Sequence, residues 1–338
     1  MAGEKVATEV ARLKAITTHC HRPGRHCGSS AIRDLLEFHG VMMSEACCFG
    51  LGAGLGITYV ELPGSDTPFI VHVRSMGFEE KVFKTLAVPF AWTSYSTKLS
   101  ASTALHHALQ ENRPALLLTD IYHLPYFGSS THFPGHAIVA WLLDMEREEV
   151  LVSDTERPEF IAVPVGSLAE ARFSTSPPFI HHGSMFAPHA IDTSVTSERV
   201  RKALYDNACS LANGNRFSGL EALDTWVAAL PRWAEEGNWH WSLRFAYQVI
   251  EKRGTGGAGF RAMYAEFLEE ASEILPAVGS AKLVELMRGA AASWSDLASV
   301  LKMGSESTVF PLTEIERAIQ HVRTRESQYV QRVLDVFS

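Results

Sequence analysis

Residues 132–158 read HFPGHAIVAWLLDMEREEVLVSDTERP, two apolar runs on either side of a polar turn. "HAIVAWLL" and "EVLVSD" are rich in aliphatic and β-branched residues, and the turn falls on Asp144–Glu148, so the stretch reads as a hairpin. Strands joined by so short a turn run antiparallel, which puts an antiparallel sheet at the centre of the surrounding domain. Centred on Met145, the hairpin sets His136, at the start of its first strand, opposite Asp154, at the end of its second. Cross-strand neighbours have Cβ atoms about 5 Å apart, a separation that suits a carboxylate orienting an imidazole. Pro134 and Gly135 clear space around the histidine.

Working outward, "FIVHV" (69–73) and "ALLLTD" (115–120) read as further strands, and helical spacing appears over 29–39, 44–50 and 100–111. The composition changes across "FSTSPPFIHHGSMFAPHAIDTS", residues 173–194, a connection rich in Pro, Ser and His. From Glu198 onward the pattern is helical almost throughout, as in "SERVRKALYDNACSLAN" and "LTEIERAIQHVRTRESQYVQRVLDVF". The expected fold class is therefore α+β over residues 1–190, a helix carrying a cysteine packed on an antiparallel sheet, followed by an all-α domain over 195–338.

The chain has 338 residues, 46% hydrophobic and 20% charged, with a net charge of −8. That balance is ordinary for a globular protein and argues against nucleic-acid binding, which needs a basic face. No apolar run approaches the roughly 18 residues of a membrane span, and "MAGEKVATEVARLKAI" lacks an apolar signal core, so no membrane association and a cytoplasmic location are expected. Cys20, Cys27, Cys47, Cys48 and Cys209 are an odd, sparse set that suits reduced thiols.

Cys27 stands out in "HRPGRHCGSSAIRDLLEFHG", residues 21–40. Ala31, Ile32, Leu35, Leu36 and Phe38 recur at helical spacing and Gly40 supplies a stop, which puts Cys27 at or just before the first helical turn. Unpaired amides and the positive dipole end favour a thiolate there, and a nearby imidazolium favours it further. Gly28 leaves the sulfur uncrowded.

Cysteine at a helix start, then histidine and aspartate on strands, resembles the papain-like plan of thiol enzymes. "HRPGRHCGSSAIRDLLEFHG", "SEACCFGLGAGLGITYV" and "DIYHLPYFGSSTHFPGHAIVAWLLD" together resemble the N-terminal domain of the butirosin biosynthesis protein H family, and "EKRGTGGAGFRAMYAEFLEEA" resembles its accompanying helical domain. The resemblance implies acyl transfer from the phosphopantetheine thioester of an acyl or peptidyl carrier protein to a small-molecule amine, with no other cofactor, in antibiotic biosynthesis. It implies Cys27 as nucleophile, His136 as base and acid, and Asp154 as the group that orients His136. Papain-like enzymes place a glutamine six residues before the cysteine; here His21 occupies that position. His21 is thus the expected oxyanion donor, together with the backbone at Cys27 and Gly28, and His26 is a weaker candidate. A hydrolase or cyclase with the same triad and a non-catalytic carrier-docking scaffold are the competing readings, and a homodimer is left open.

The expected substrate-binding residues are Tyr122 and Tyr126 at the acceptor pocket, Glu45, which is also placed to cap a helix, and Arg261 near the pantetheine phosphate. "RGTGG", residues 253–257, reads first as a turn between helices. "GLGAGLG", residues 50–56, does not spell a dinucleotide fingerprint and reads as a close-packed loop. His19, Cys20, His21, His26 and Cys27 fit no standard ligand spacing, so no metal is expected.

Overall fold

The two apolar runs of residues 132–158 do pair as a hairpin in the computed structural model, which describes residues 21–65, 67–177 and 179–338. In chain order the strands are β1 (Leu55–Glu61), β2 (Phe69–Arg74), β3 (Ala115–Thr119), β4 (His136–Asp144), β5 (Glu149–Ser153), β6 (Ile161–Pro164) and β7 (Met185–Phe186). β1 and β2 pair with each other, and the rest form a second sheet in the order β6-β5-β4-β3-β7. Every pairing is antiparallel, as α+β requires.

β4 lies in the middle of the larger sheet, and its residues from His136 to Trp141 are buried. Alternate side chains meet different covers. Ile138 and Ala140 join a cluster with Leu105, Ala108 and Leu109 of the helix Lys98–Gln110. Trp141 meets Phe38 of the helix Cys27–Phe38 edge-on at 5.8 Å. Burial on both faces is why the strand reads as a continuous apolar run and not as an alternation. The Cys27 helix packs on this strand with Ile32, Leu35 and Leu36 fully enclosed, each contributing about 1.5–3 kcal/mol of hydrophobic stabilisation.

The hairpin register differs from the symmetric one. Asp144 pairs with Glu149 and Leu142 with Leu151; beyond an irregularity between Ala140 and Leu142, Val139 pairs with Ser153. Asp154 follows the last residue of β5, and the Val139–Ser153 register continued by one residue sets it opposite Ile138, so His136 and Asp154 lie diagonally and not face to face. A diagonal pair is still within reach of long side chains.

The chain forms two compact units, and they are not contiguous stretches. Residues 21–48 belong with Ala87–Ser194, and Phe49–Leu86 belong with Val195–Ser338. Residues 49–86, which the sequence groups with the sheet domain, join the helices because of their aromatic partners. Tyr59 of β1 stacks on Trp226 and Trp233 of the helix Gly219–Glu235, and Phe69 of β2 stacks on Trp233 at 4.6 Å. The 173–194 connection likewise is not only a linker: Met185 and Phe186 form β7, paired with Leu117 and Leu116. In the glycine-rich stretch 50–56, a Cβ on Gly50 would meet the Phe267 ring at 2.1 Å, and one on Gly56 would meet the Arg74 carbonyl oxygen at 2.4 Å. Only glycine allows these approaches.

The second unit is built on helices that include Ser197–Ala212, Gly219–Glu235, Trp239–Glu251, Arg261–Ile274, Leu283–Gly304 and Leu312–Phe337. Among the described residues, no helix is long and apolar enough to cross a membrane.

Candidate active site

Cys27 is the first residue of its helix and is half-buried. His26 is the N-cap, and its Nδ1 accepts the Ser29 amide at 3.1 Å. The approach to the cysteine is held by Glu45, whose Oε1 accepts from the amides of Arg25 (2.9 Å) and His26 (2.8 Å) and from Ser29 Oγ (3.2 Å). Gly24 N donates to the Thr155 carbonyl at 2.7 Å, and Ser30 Oγ lies 3.0 Å from Thr155 Oγ1, which ties the cysteine loop to the residue after Asp154.

His136 Nε2 lies 2.8 Å from Asp154 Oδ2 and 3.0 Å from Oδ1, while the ring also hydrogen-bonds Cys27. With Nε2 on the carboxylate, Nδ1 is the nitrogen left for sulfur. Asp154 is nearly enclosed and accepts two further bonds, from Tyr126 OH at 2.5 Å and from the Thr155 amide at 2.6 Å. Burial by itself would lower the His136 pKa; the Asp154 charge and hydrogen bond, with the Cys27 sulfur, override it and raise the value to about 10. Burial pushes the Asp154 carboxyl up, but the His136 charge, with the bonds from His136, Tyr126 and Thr155, holds it below the usual range. The arrangement stores a proton on imidazole beside a thiol at a helix N-terminus, which favours the thiolate. Cys48, fully buried, is pushed the other way by desolvation and stays a thiol.

Several expected binding residues are committed elsewhere. His21 is not free to donate to an oxyanion: Nδ1 is 2.6 Å from Asp34 Oδ2 and Nε2 is 2.6 Å from the Arg157 carbonyl oxygen. Both ring nitrogens therefore face acceptors and the side chain is buried. Desolvation lowers its pKa, but Asp34 and the Arg157 carbonyl raise it overall. His26 is likewise used as the helix cap. Glu45 binds the cysteine loop and has no carboxylate oxygen turned over to substrate. Arg261 is fully buried in the second unit, with Nε 2.6 Å from Glu326 Oε1 and further bonds to the carbonyls of Val73, Gly259 and Gly56, so it cannot meet a phosphate. "RGTGG" is a turn, with Gly254, Gly256 and Gly257 at positive φ. Tyr122 is exposed and stacks on His132. Gly28 is buried in the first helical turn. Tyr126, expected to line a pocket, instead buttresses Asp154; it sits 28 residues away in an irregular loop, where no spacing rule connects the two. His19 and Cys20 lie outside the described residues.

No curated protein matches the chain. Two family models do. One, described as a domain of unknown function (DUF4872), matches residues 166–333. The other, butirosin biosynthesis protein H, N-terminal, matches residues 26–155 and so includes Cys27, His136 and Asp154. The chain belongs to the butirosin biosynthesis protein H family, with the DUF4872 domain following the N-terminal one.

Proposed function

We propose that this protein is a cysteine-dependent acyltransferase of antibiotic biosynthesis, taking an acyl group from a carrier-protein phosphopantetheine thioester and giving it to an amine. The biosynthetic role follows from the family. The observation that carries the chemistry is the hydrogen-bonded series from Cys27 through His136 to Asp154. A helix bearing the cysteine and packed on an antiparallel sheet supports a papain-like reading of the fold.

In the reaction, Cys27 Sγ attacks the thioester carbonyl carbon and a C–S bond forms. The amides of Cys27 and Gly28 in the first helical turn take the place of His21 as donors to the oxyanion. Collapse breaks the bond to pantetheine sulfur, which leaves with the His136 proton. The amine nitrogen then attacks the acyl-enzyme and gives its proton to His136 as Cys27 departs, which restores the thiolate–imidazolium pair. Tyr126 and the Thr155 amide keep Asp154 charged and turned toward His136 in both halves.

The test is intact-mass analysis of the full chain incubated with acyl-carrier thioesters, with and without candidate amines. An acyl adduct on Cys27 that disappears as an amide product forms supports transfer. An adduct released only as free acid makes the protein a hydrolase, and no adduct with any thioester makes it a scaffold.

A further inference from the structure

We propose that Asp120, His123 and His132 form a binding site for a divalent transition-metal ion of the zinc type. Their ligand atoms lie within 4.8 Å of one another. Bonds of about 2.0–2.2 Å to zinc bring neighbouring ligand atoms to roughly 3–3.5 Å, a closure that side-chain rotation of the two histidines supplies. The set shares no residue with the Cys27, His136 and Asp154 series and does not depend on the acyl-transfer reading.

The three ligands differ in burial. Asp120 is fully buried just after β3, and three donors outside the ligand set hold it. Oδ1 accepts from the amides of Tyr122 (3.1 Å) and Phe133 (2.9 Å), and Oδ2 lies 2.6 Å from Ser174 Oγ and 2.7 Å from His132 Nδ1. An enclosed anion already fixed by outer hydrogen bonds is the usual state of a ligating carboxylate. His132 is exposed and its ring lies flat against Tyr122 at 4.0 Å, while His123 ends the short 3-10 turn Ile121–His123 that Asp120 caps. Two imidazoles and one carboxylate favour zinc, cobalt or nickel over magnesium and calcium, which take oxygen donors. Three protein ligands also leave a position open for water or a ligand. The spacing rules applied to the sequence fail here because the ligands come from the end of a strand, a turn and a loop. The ion fastens residues 120–133, the loop that also carries Tyr126, to the end of the sheet where Thr119 pairs with His136.

The experiment uses the full chain carrying Cys27→Ser, so that the reactive thiol supplies no ligand, after dialysis against a chelator. Zinc and cobalt(II) are titrated by calorimetry and by visible absorption. The expected result is one ion per chain, a cobalt spectrum without thiolate charge transfer, and a higher melting temperature with zinc. His123→Ala and His132→Ala are each expected to weaken binding by more than about 100-fold. Ser174→Ala, which leaves all three ligands in place, should weaken it about 10–100-fold. His136→Ala should leave the affinity unchanged. Absence of saturable binding, binding that survives loss of both His123 and His132, or binding lost in His136→Ala overturns the proposal.

Discussion

Replacing His136 by alanine removes the imidazole that hydrogen-bonds Cys27, and its effect can be worked out in advance. A rise of the imidazole pKa from 6.5 to about 10 corresponds to about 5 kcal/mol in favour of the charged ring. The ring therefore stays protonated throughout the neutral range, and an imidazolium beside the sulfur favours the thiolate. The rate of Cys27 alkylation by iodoacetamide, followed by intact mass, should be nearly flat from about pH 6 to 8 in the native protein. In His136→Ala the sulfur moves back toward an ordinary thiol of pKa about 8.5, for which the thiolate fraction rises roughly 75-fold over the same interval, so the profile should steepen toward that limit. The comparison uses the shape of each profile, so it does not depend on the lower nucleophilicity of a stabilised thiolate. His136→Asn, which keeps a polar side chain, should behave in the same way and guards against a packing defect in the alanine variant. The stability that goes with the shift has a definite sign. The folded pKa is raised, so the contribution is complete below pH 6.5 and is lost as the pH climbs through about 10. The melting temperature of the native protein should accordingly fall more steeply between pH 8 and 10.5 than that of His136→Ala. A native alkylation rate that climbs in parallel with the variant from pH 6 to 8 would refute the ion pair.

Tyr126→Phe removes the hydroxyl donated to Asp154 at 2.5 Å; such a bond to a charged group contributes about 1.5–3 kcal/mol. With His136 and Thr155 still in place, single-turnover acylation should slow about tenfold with the fold intact by circular dichroism, and an unchanged rate removes Tyr126 from the site. His21→Ala should lower the melting temperature while the folded protein acylates at a near-normal rate, and His21→Gln should give no special rescue. Because the His21 pKa is raised, its stabilisation is lost as the pH rises, so the melting gap to His21→Ala should narrow above neutrality. A collapse of acylation without loss of stability would return His21 to the oxyanion. Glu326→Ala leaves the Arg261 guanidinium buried without its counter-ion, at a cost of about 3–5 kcal/mol. A denaturation midpoint within a few tenths of a molar of the native one would show that the pair contributes little.

The elements were legible along the chain because each is announced by local chemistry. Helical spacing and Gly40 mark the Cys27 helix and the two apolar runs around Asp144–Glu148 mark the hairpin, while it is the resemblance to thiol enzymes that joins Cys27 to His136 and Asp154. Side-chain commitments were not legible. His21 stands at the expected oxyanion position, yet whether its nitrogens are available depends on Asp34 and on the Arg157 carbonyl, 136 residues away. Glu45, Arg261 and Tyr126 were misread for the same reason: a carboxylate, guanidinium or phenol binds whatever partner the fold presents, and sequence spacing does not encode that partner. The hairpin register slipped because the turn is centred between Glu146 and Arg147 and not on Met145, and the irregularity between Ala140 and Leu142 recovers only one residue of that offset; neither leaves a mark in the apolar pattern. Residues 49–86 joined the helical unit because stacking of Tyr59 and Phe69 on distant tryptophans determines where that hairpin buries its rings. Periodicity is a property of neighbouring residues and survives in the sequence, whereas hydrogen-bond satisfaction and burial belong to groups that only folding brings together.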